Sequence, residues 1–337
     1  MGDSNRAERG FPPVGVPEKL VGGLTRAVLE LERKQLLMEG VTVKLVGENM
    51  NVMSKTLGPA MRERDAGPIR KMAENIASKN VDFIDINLGP ARKQGAEMME
   101  WVVKTVNEVT DIPLFLDTSN VEAMEAGLKV VKRDKGKPVI NSVSARPERM
   151  EALFPLAKTY EAGVVALLLG VDGIPRDENE RGILWSELMV KCTEFELAPQ
   201  DVYVDPIVLP VNTQQNQVQG CTNFMMMFRD IAPGYSSTCG LSNISNGAPE
   251  HLRPILNQTY SVILNHLGME SAIVDAFDAD LTAFARGGKA EIRDLILKAV
   301  NGEDIDTASL SKDMLDYVKT AKLLLGQSLY SDSWLEL

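Results

Sequence analysis

The chain has 337 residues, 44% of them hydrophobic, which is enough to bury one large core; an α/β barrel of about 250 residues would fit with room for extensions. Its 47 acidic against 36 basic residues leave a net charge of −11, which opposes attraction to phosphate backbones and anionic membrane surfaces and argues against nucleic acid as a partner. Cys192, Cys221 and Cys239 are too widely spaced for paired thiolate ligands, no apolar run approaches the roughly 20 residues of a membrane span, and residues 1–17 lack the pattern of a signal peptide, so a cytoplasmic protein with reduced thiols is expected.

Val21 to Glu39 carries Leu24, Val28 and Leu31 at helical spacing, predicting one helix within an N-terminal extension of residues 1–40. From Val41 short β-rich runs alternate with amphipathic ones. Strands are predicted near residues 42–47, 81–86, 112–116, 138–141, 163–169, 201–204, 236–241 and 270–274. Between them, Ile69, Met72, Ala73 and Ile76, and again Met150, Leu153, Phe154 and Ala157, recur at the spacing that turns one apolar stripe of a helix toward a sheet. Ser119 and Asn120 are placed to cap the helix containing Met124, Leu128 and Val131; Pro147 and Pro254 suit first helical turns, and Gly268 suits a helix end. Eight strand–helix units predict a (β/α)8 TIM barrel over residues 41–280, while periodicity alone leaves an open doubly wound sheet as the alternative. Residues 281–337, with Met314, Val318, Ala321 and Leu325, predict a helical extension on the barrel's outside.

Polar residues end nearly every predicted strand. Glu48 and Asn51 follow the first, Asp85 and Asn87 the second, Asp117 the third, Asn141 the fourth, Asp205 the sixth, Ser242 and Asn243 the seventh, Asp275 and Asp278 the eighth. In a barrel these positions converge on the face where active sites are built. Any one of them alone reads as a turn former or helix cap; the set is harder to explain that way. Neither histidine, His251 or His266, lies at a predicted strand end, so no histidine base or multi-histidine metal site is expected. Clustered carboxylates could hold magnesium, but the interleaved asparagines suit a ligand offering both donors and acceptors on a planar edge, as a pterin does.

The order of motifs Gly47-Glu48-Asn49-Met50-Asn51, Asp85-Ile86-Asn87-Leu88-Gly89-Pro90, Leu116-Asp117-Thr118, Ile140-Asn141-Ser142, Asp205-Pro206 and Gly240-Leu241-Ser242-Asn243-Ile244-Ser245 resembles the methyltetrahydrofolate:corrinoid/iron-sulfur protein methyltransferases, over residues 42–280 and again from Thr320 to Trp334. The resemblance implies a pterin-binding barrel related to the folate module of cobalamin-dependent methionine synthase, acting as a homodimer. It further implies that tetrahydrofolate or 5-methyltetrahydrofolate is the substrate and that the corrinoid comes on a separate partner protein. Carried over by position, Asp117, Asn141 and Asp205 would bond the pterin ring, with Asp85, Asn87, Glu48 and Ser242 beside them and Asn243 at N5. Arg253, in Leu252-Arg253-Pro254, would stand at the mouth, near the folate tail or the corrinoid protein.

The chain departs from that pattern where Asn49 replaces the family's usual arginine, in residues 282–318, which read as an insertion, and in its N-terminal extension. These departures point to a paralogue with another corrinoid partner, such as one serving demethylation of methylated compounds. Neither histidine lies in an Asp-x-His-x-x-Gly cobalamin-binding sequence, consistent with a corrinoid held elsewhere. Two alternatives stand beside this reading. A dihydropteroate synthase would need basic residues to hold phosphate, and Ser242 to Asn246 contains none; a catalytically silent folate-binding subunit would have no use for Asn243.

Overall fold

The computed structural model describes residues 43–336; the predicted N-terminal helix, the extension of residues 1–40 and the start of the first predicted strand lie outside the described residues. Eight parallel strands follow in chain order: β1 (Lys44–Asn51), β2 (Phe83–Gly89), β3 (Leu114–Thr118), β4 (Val139–Ser144), β5 (Gly163–Leu167), β6 (Val202–Asp205), β7 (Ser236–Ser237) and β8 (Ser271–Val274). From β1 to β7 each strand pairs with the next in sequence, and β1 also pairs with β8. The ring closes between the chain after β7 and β8. Gly240 bridges Ile273 in parallel, and Ile273 N–H donates to the Cys239 carbonyl at 2.8 Å. The chain is therefore a (β/α)8 barrel, not an open sheet.

The seventh strand is shorter than the predicted 236–241. Part of its ladder is replaced by a side chain: the Ser237 hydroxyl donates to the Gly268 carbonyl and accepts from Glu270 N–H, both at 3.0 Å. Those bonds satisfy backbone groups at the closure that would otherwise be orphaned.

Helices α1 (Leu57–Glu63) and α2 (Ala66–Ala77) follow β1; α3 (Gly95–Asn107), α4 (Val121–Val130), α5 (Pro147–Thr159), α6 (Glu178–Glu194), α7 (Val211–Ile231) and α8 (Arg253–His266) follow β2 to β7. In α2 the predicted stripe is buried at Ile69, Ala73 and Ile76, while Met72 is half-buried. Gly47 lets that helix come close, since a Cβ there would lie 2.7 Å from a methyl of Ile76. Asn120 caps α4 by accepting from Ala123 N–H at 3.0 Å, whereas Ser119 does not cap. Pro147 opens α5 and Pro254 lies in the first turn of α8, as their missing N–H groups allow. Gly268, at φ +109°, takes the chain out of α8 just beyond His266, in a backbone conformation that favours glycine.

After β8 come α9 (Ala279–Ala285), α10 (Ala290–Val300) and α11 (Lys312–Leu324). Tyr317 of α11 donates to Gln258 of α8 at 2.5 Å, and the Trp334 indole N–H donates to the Thr320 hydroxyl at 3.1 Å, fixing the C-terminal residues against the outer helices. Asp278, grouped with the strand-end residues by its position, is an N-cap: it accepts from Leu281 N–H and from Gln258. Its carboxylate is used by α9 and α8.

Candidate active site

Alternate residues of a strand face the same side of a sheet. On five strands this period carries an inward apolar residue and then, two positions later, a polar one: Val46 and Glu48, Phe83 and Asp85, Phe115 and Asp117, Val139 and Asn141, Tyr203 and Asp205. Ile273 of β8 is followed at the same spacing by Asp275, which lies just beyond that strand and is exposed. The first members, with Val165, form an apolar cluster separate from the packing between sheet and helices. The second members form a polar layer toward the C-terminal ends of the strands. Asn87 extends it one further step on β2.

These polar residues contact one another across strands. Asn141 donates to Asp85 at 3.0 Å, and Asn87 donates to Asp117 while accepting from Gly89 N–H at 2.9 Å. Asp205 accepts from Ile207 N–H at 2.8 Å, and Ser242 donates to Glu48 at 2.6 Å. Asp85, Asn141 and Asp205 are buried; Glu48, Asn87 and Asp117 are half-buried.

Burial dominates the electrostatics. It pushes the Asp117 carboxyl up to about 7 against the hydrogen bond from Asn87. It does the same to Asp205, again to about 7, against the Ile207 N–H and the Arg181 charge. Asp85 is raised well above its ordinary range by burial and by Asp117 facing it, with Asn141 opposing. Glu48 is raised by burial and by Asp275, with the Ser242 bond and Arg253 opposing. Desolvated carboxylates with few donors are suited to a ligand that brings N–H groups.

The rim after β7 is a 3₁₀ helix, Leu241–Ser245. Ser242 turns inward to Glu48, while Asn243 is exposed. The Asn243 side-chain oxygen Oδ1 accepts from the Asn246 side-chain Nδ2 at 3.0 Å. Arg253, the first residue of α8, donates to the Ser245 hydroxyl at 3.3 Å, which in turn donates to the Ser242 carbonyl at 3.2 Å. Asn51 accepts from Met53 N–H in the turn after β1. His251 lies in a short 3₁₀ helix, Glu250–Leu252, and His266 ends α8; neither is at a strand end.

Arg181 and Asn246, which sequence reasoning passed over, and Asn49, which it noted only as replacing the family's usual arginine, bear on the site. Arg181 is fully buried on α6 and donates to the carbonyls of Pro206 and Asp177, at 2.8 and 3.1 Å, and to Gln217 at 3.0 Å. It thereby holds the loop that follows Asp205, and nothing in its charged local sequence distinguishes it from a solvated arginine. Asn49 donates to Asp275 at 2.8 Å and accepts from Ala276 N–H at 2.9 Å, tying β1 to the loop after β8. Asn246 had a signal: it follows Asn243 by three residues, and such residues eclipse in a 3₁₀ turn.

Residues 50–275 match the model of the pterin binding enzyme family. A methylcorrinoid:tetrahydrofolate methyltransferase from Eubacterium limosum is 28% identical over 241 residues, covering 70% of this chain and 86% of that relative. The methionine synthase of Mycobacterium leprae is 24% identical over 246 residues, covering 70% of this chain but 20% of the longer protein. Among solved structures, dihydropteroate synthase from Vibrio fischeri superposes with a TM-score of 0.56 at 17% identity, covering 73% of this chain and 92% of that one. The enzyme from Xanthomonas albilineans gives 0.53 at 16% identity, over 78% and 95%. At such identities the structural matches establish the barrel and nothing finer.

Proposed function

The chain belongs to the pterin-binding enzyme family, and from that premise we propose that it is a methyltransferase moving a methyl group between N5 of tetrahydrofolate and the cobalt of a corrinoid carried by a separate protein. The Eubacterium limosum relative, a methylcorrinoid:tetrahydrofolate methyltransferase, supports the substrate pair. The observation that carries the reading is the polar layer itself: donor-poor carboxylates of raised pKa, interleaved with amides, with the exposed amide of Asn243 on the segment that follows β7.

Each residue then has a task. Asp205 and Asp117 accept from the N–H groups of the pterin's 2-amino-4-oxo edge, Asn141 supplies donor and acceptor, and Asp85 orients Asn141. Asn87 holds Asp117, Glu48 and Ser242 close the wall beside the ring, and Arg253 stands at the mouth for the anionic folate tail or the partner protein. Reduced cobalt supplies the nucleophile when methyl leaves N5, so the protein must orient the methyl and ease the departing nitrogen. As the N5–methyl bond breaks, its electron pair stays on nitrogen, and the Asn243 Nδ2–H bond to N5 strengthens with that charge. The same site serves the reverse transfer by microscopic reversibility.

The reading places the enzyme in the cytoplasm as a homodimer. Ile183 and Val190 on α6 and Met226 on α7 are exposed apolar side chains at 60%, 55% and 55%, which supports a second copy covering this side of the barrel. No described helix is long and apolar enough to cross a membrane.

The test mixes the protein with 5-methyltetrahydrofolate and Co(I) corrinoid, and separately with methylcorrinoid and tetrahydrofolate, and follows the corrinoid spectrum. Transfer in at least one direction is expected, and Asn243→Ala should slow it by roughly 10² to 10³, the range for losing one preorganised donor. No transfer in either direction would overturn the activity.

A further inference from the structure

A side-chain amide is two-faced. Turned by half a circle about its last torsion, Asn243 would present its oxygen to N5 and repel the lone pair it is meant to hold. That torsion is soft and nearly two-fold in asparagine, so the backbone does not decide which face points where. A neighbour must.

We propose that Asn246 is the positioning residue that sets the polarity of the Asn243 amide, holding its oxygen and so leaving Nδ2 free for N5. This rests on the methyl-transfer reading given above. The Asn246 amide donates to the Asn243 oxygen at 3.0 Å, and no described hydrogen bond uses Nδ2 of Asn243. The spacing produces this contact: Asn243 lies in the 3₁₀ helix, Asn246 is its C-cap, and residues three apart eclipse in such a turn. The backbone repeats the link, with Asn246 N–H donating to the Asn243 carbonyl at 3.2 Å.

Gly240, three residues earlier, completes the arrangement from the other side. Its φ of −74° is open to any residue, so glycine is not required by the backbone here. A Cβ would instead lie 2.9 Å from Nδ2 of Asn243, too close for that group to keep its place. One residue thus fixes the oxygen end of the amide and another clears space at the nitrogen end. Because Asn246 is exposed and its side chain makes no other described hydrogen bond, changing it should leave the fold intact.

The test is single-turnover methyl transfer and folate affinity, measured on the full chain across a double-mutant cycle. Asn246→Ala removes the bias and should slow transfer about 2- to 10-fold, the worth of one ordinary hydrogen bond. Asn246→Asp offers only an acceptor when ionised, draws Nδ2 toward itself and should slow transfer about 10²-fold, approaching Asn243→Ala. That rate should recover as pH falls through the carboxylate range, where a protonated acid can donate again. Asn246→Ser, which keeps a donor, should retain most of the rate, and folate affinity should change less than about 2-fold throughout. In an Asn243→Ala background, Asn246→Asp should have no further effect.

The inference is overturned if Asn246→Asp is no slower than Asn246→Ala, if rate and affinity fall by equal factors, or if the effect persists without Asn243. If Asn243→Ala itself leaves transfer at full rate, the N5 assignment falls and takes this inference with it. A slow Asn243→Ala beside a normal Asn246→Asp overturns the positioning role alone.

Discussion

Two residues of β3 separate opposite kinds of protein. Phe115 is fully buried, edge-on to Phe83 at 5.0 Å and to Tyr203 at 5.6 Å, and the lower barrel is filled by such contacts. Asp117, one pleat higher, is a carboxyl that burial has pushed up to about 7. The lower layer gains free energy from leaving water; the upper one pays for it until a ligand arrives. Stability and function therefore occupy adjacent rings of the same strands, and substitutions in the two rings should move the protein in opposite directions.

The largest effect belongs to the lower ring. Phe115→Ala should cost about 3–5 kcal/mol in urea unfolding, because it opens a cavity between two aromatic rings that are held by strands and cannot close around it. Folate affinity of the protein that remains folded should change only a few-fold. A cost below about 1 kcal/mol would mean that the apolar ring is not what holds the barrel.

Asp205→Asn should do the reverse. Because the folded-state carboxyl sits at about 7, above its usual 3.8, the folded protein keeps a proton that the unfolded chain releases. Asp205 thus supports the empty barrel most fully below about pH 4, and that support is lost as pH rises through about 7. An amide does not titrate, so the variant should gain on the wild type between those limits and stay about 1–3 kcal/mol more stable above them. Thermal melts at pH 4.5 and pH 8 would read the difference. Folate affinity should fall by about 1–3 kcal/mol, since the amide sets a donor against the pterin's N–H groups. In the wild type, folate binding should weaken as pH drops below about 7, where the carboxyls of Asp205 and Asp117 fill with protons. Equal stability of wild type and variant at pH 8 would remove the claim that the upper ring is strained.

How much of this was legible follows from the same contrast. The barrel was readable because each strand–helix unit has a strong local pattern, as in Ile69, Ala73 and Ile76, all buried in α2. Strand ends were readable only to the first polar residue. The first strand was expected to stop before Glu48, yet β1 continues to Asn51, and the fourth runs three residues beyond Asn141 to Ser144. Backbone pairing resumes beyond the inward polar residues after a register shift, between Gly47 and Met50 on β1 and between Ile140 and Val143 on β4, and apolar periodicity cannot see it. Asp85, Asp117, Asn141 and Asp205 were found by type and position, and they do lie in one layer with Asn141 bonded to Asp85. Asp278 shows the limit of that reasoning, because a strand-end aspartate and a helix cap look alike until their partners are visible. Arg181 was invisible for a different reason: only its burial, produced by α6 packing beside α7, sets it apart from the surface charges around it.

Asn49 belongs to neither ring and should give the smallest effect. It stands where the resemblance places an arginine, but here its amide makes a neutral two-way link, donating to Asp275 and accepting from Ala276 N–H. An arginine could replace the donor but not the acceptor, so the asparagine serves a backbone group as well as a carboxylate. Asp275 also accepts from Phe277 N–H at 3.0 Å and keeps a partner if Asn49 is lost. Asn49→Ala should therefore cost about 0.5–1.5 kcal/mol of stability by urea unfolding, the worth of an ordinary hydrogen bond at a half-exposed site. Folate affinity should stay within about 2-fold, because no pterin-facing carboxyl is bonded to Asn49. If affinity fell by 10-fold or more, the link between β1 and the loop after β8 would be shaping the polar ring through Glu48, whose carboxyl Asp275 already pushes upward. The division between stabilising and binding residues would then run between β1 and the other strands, not between the two layers.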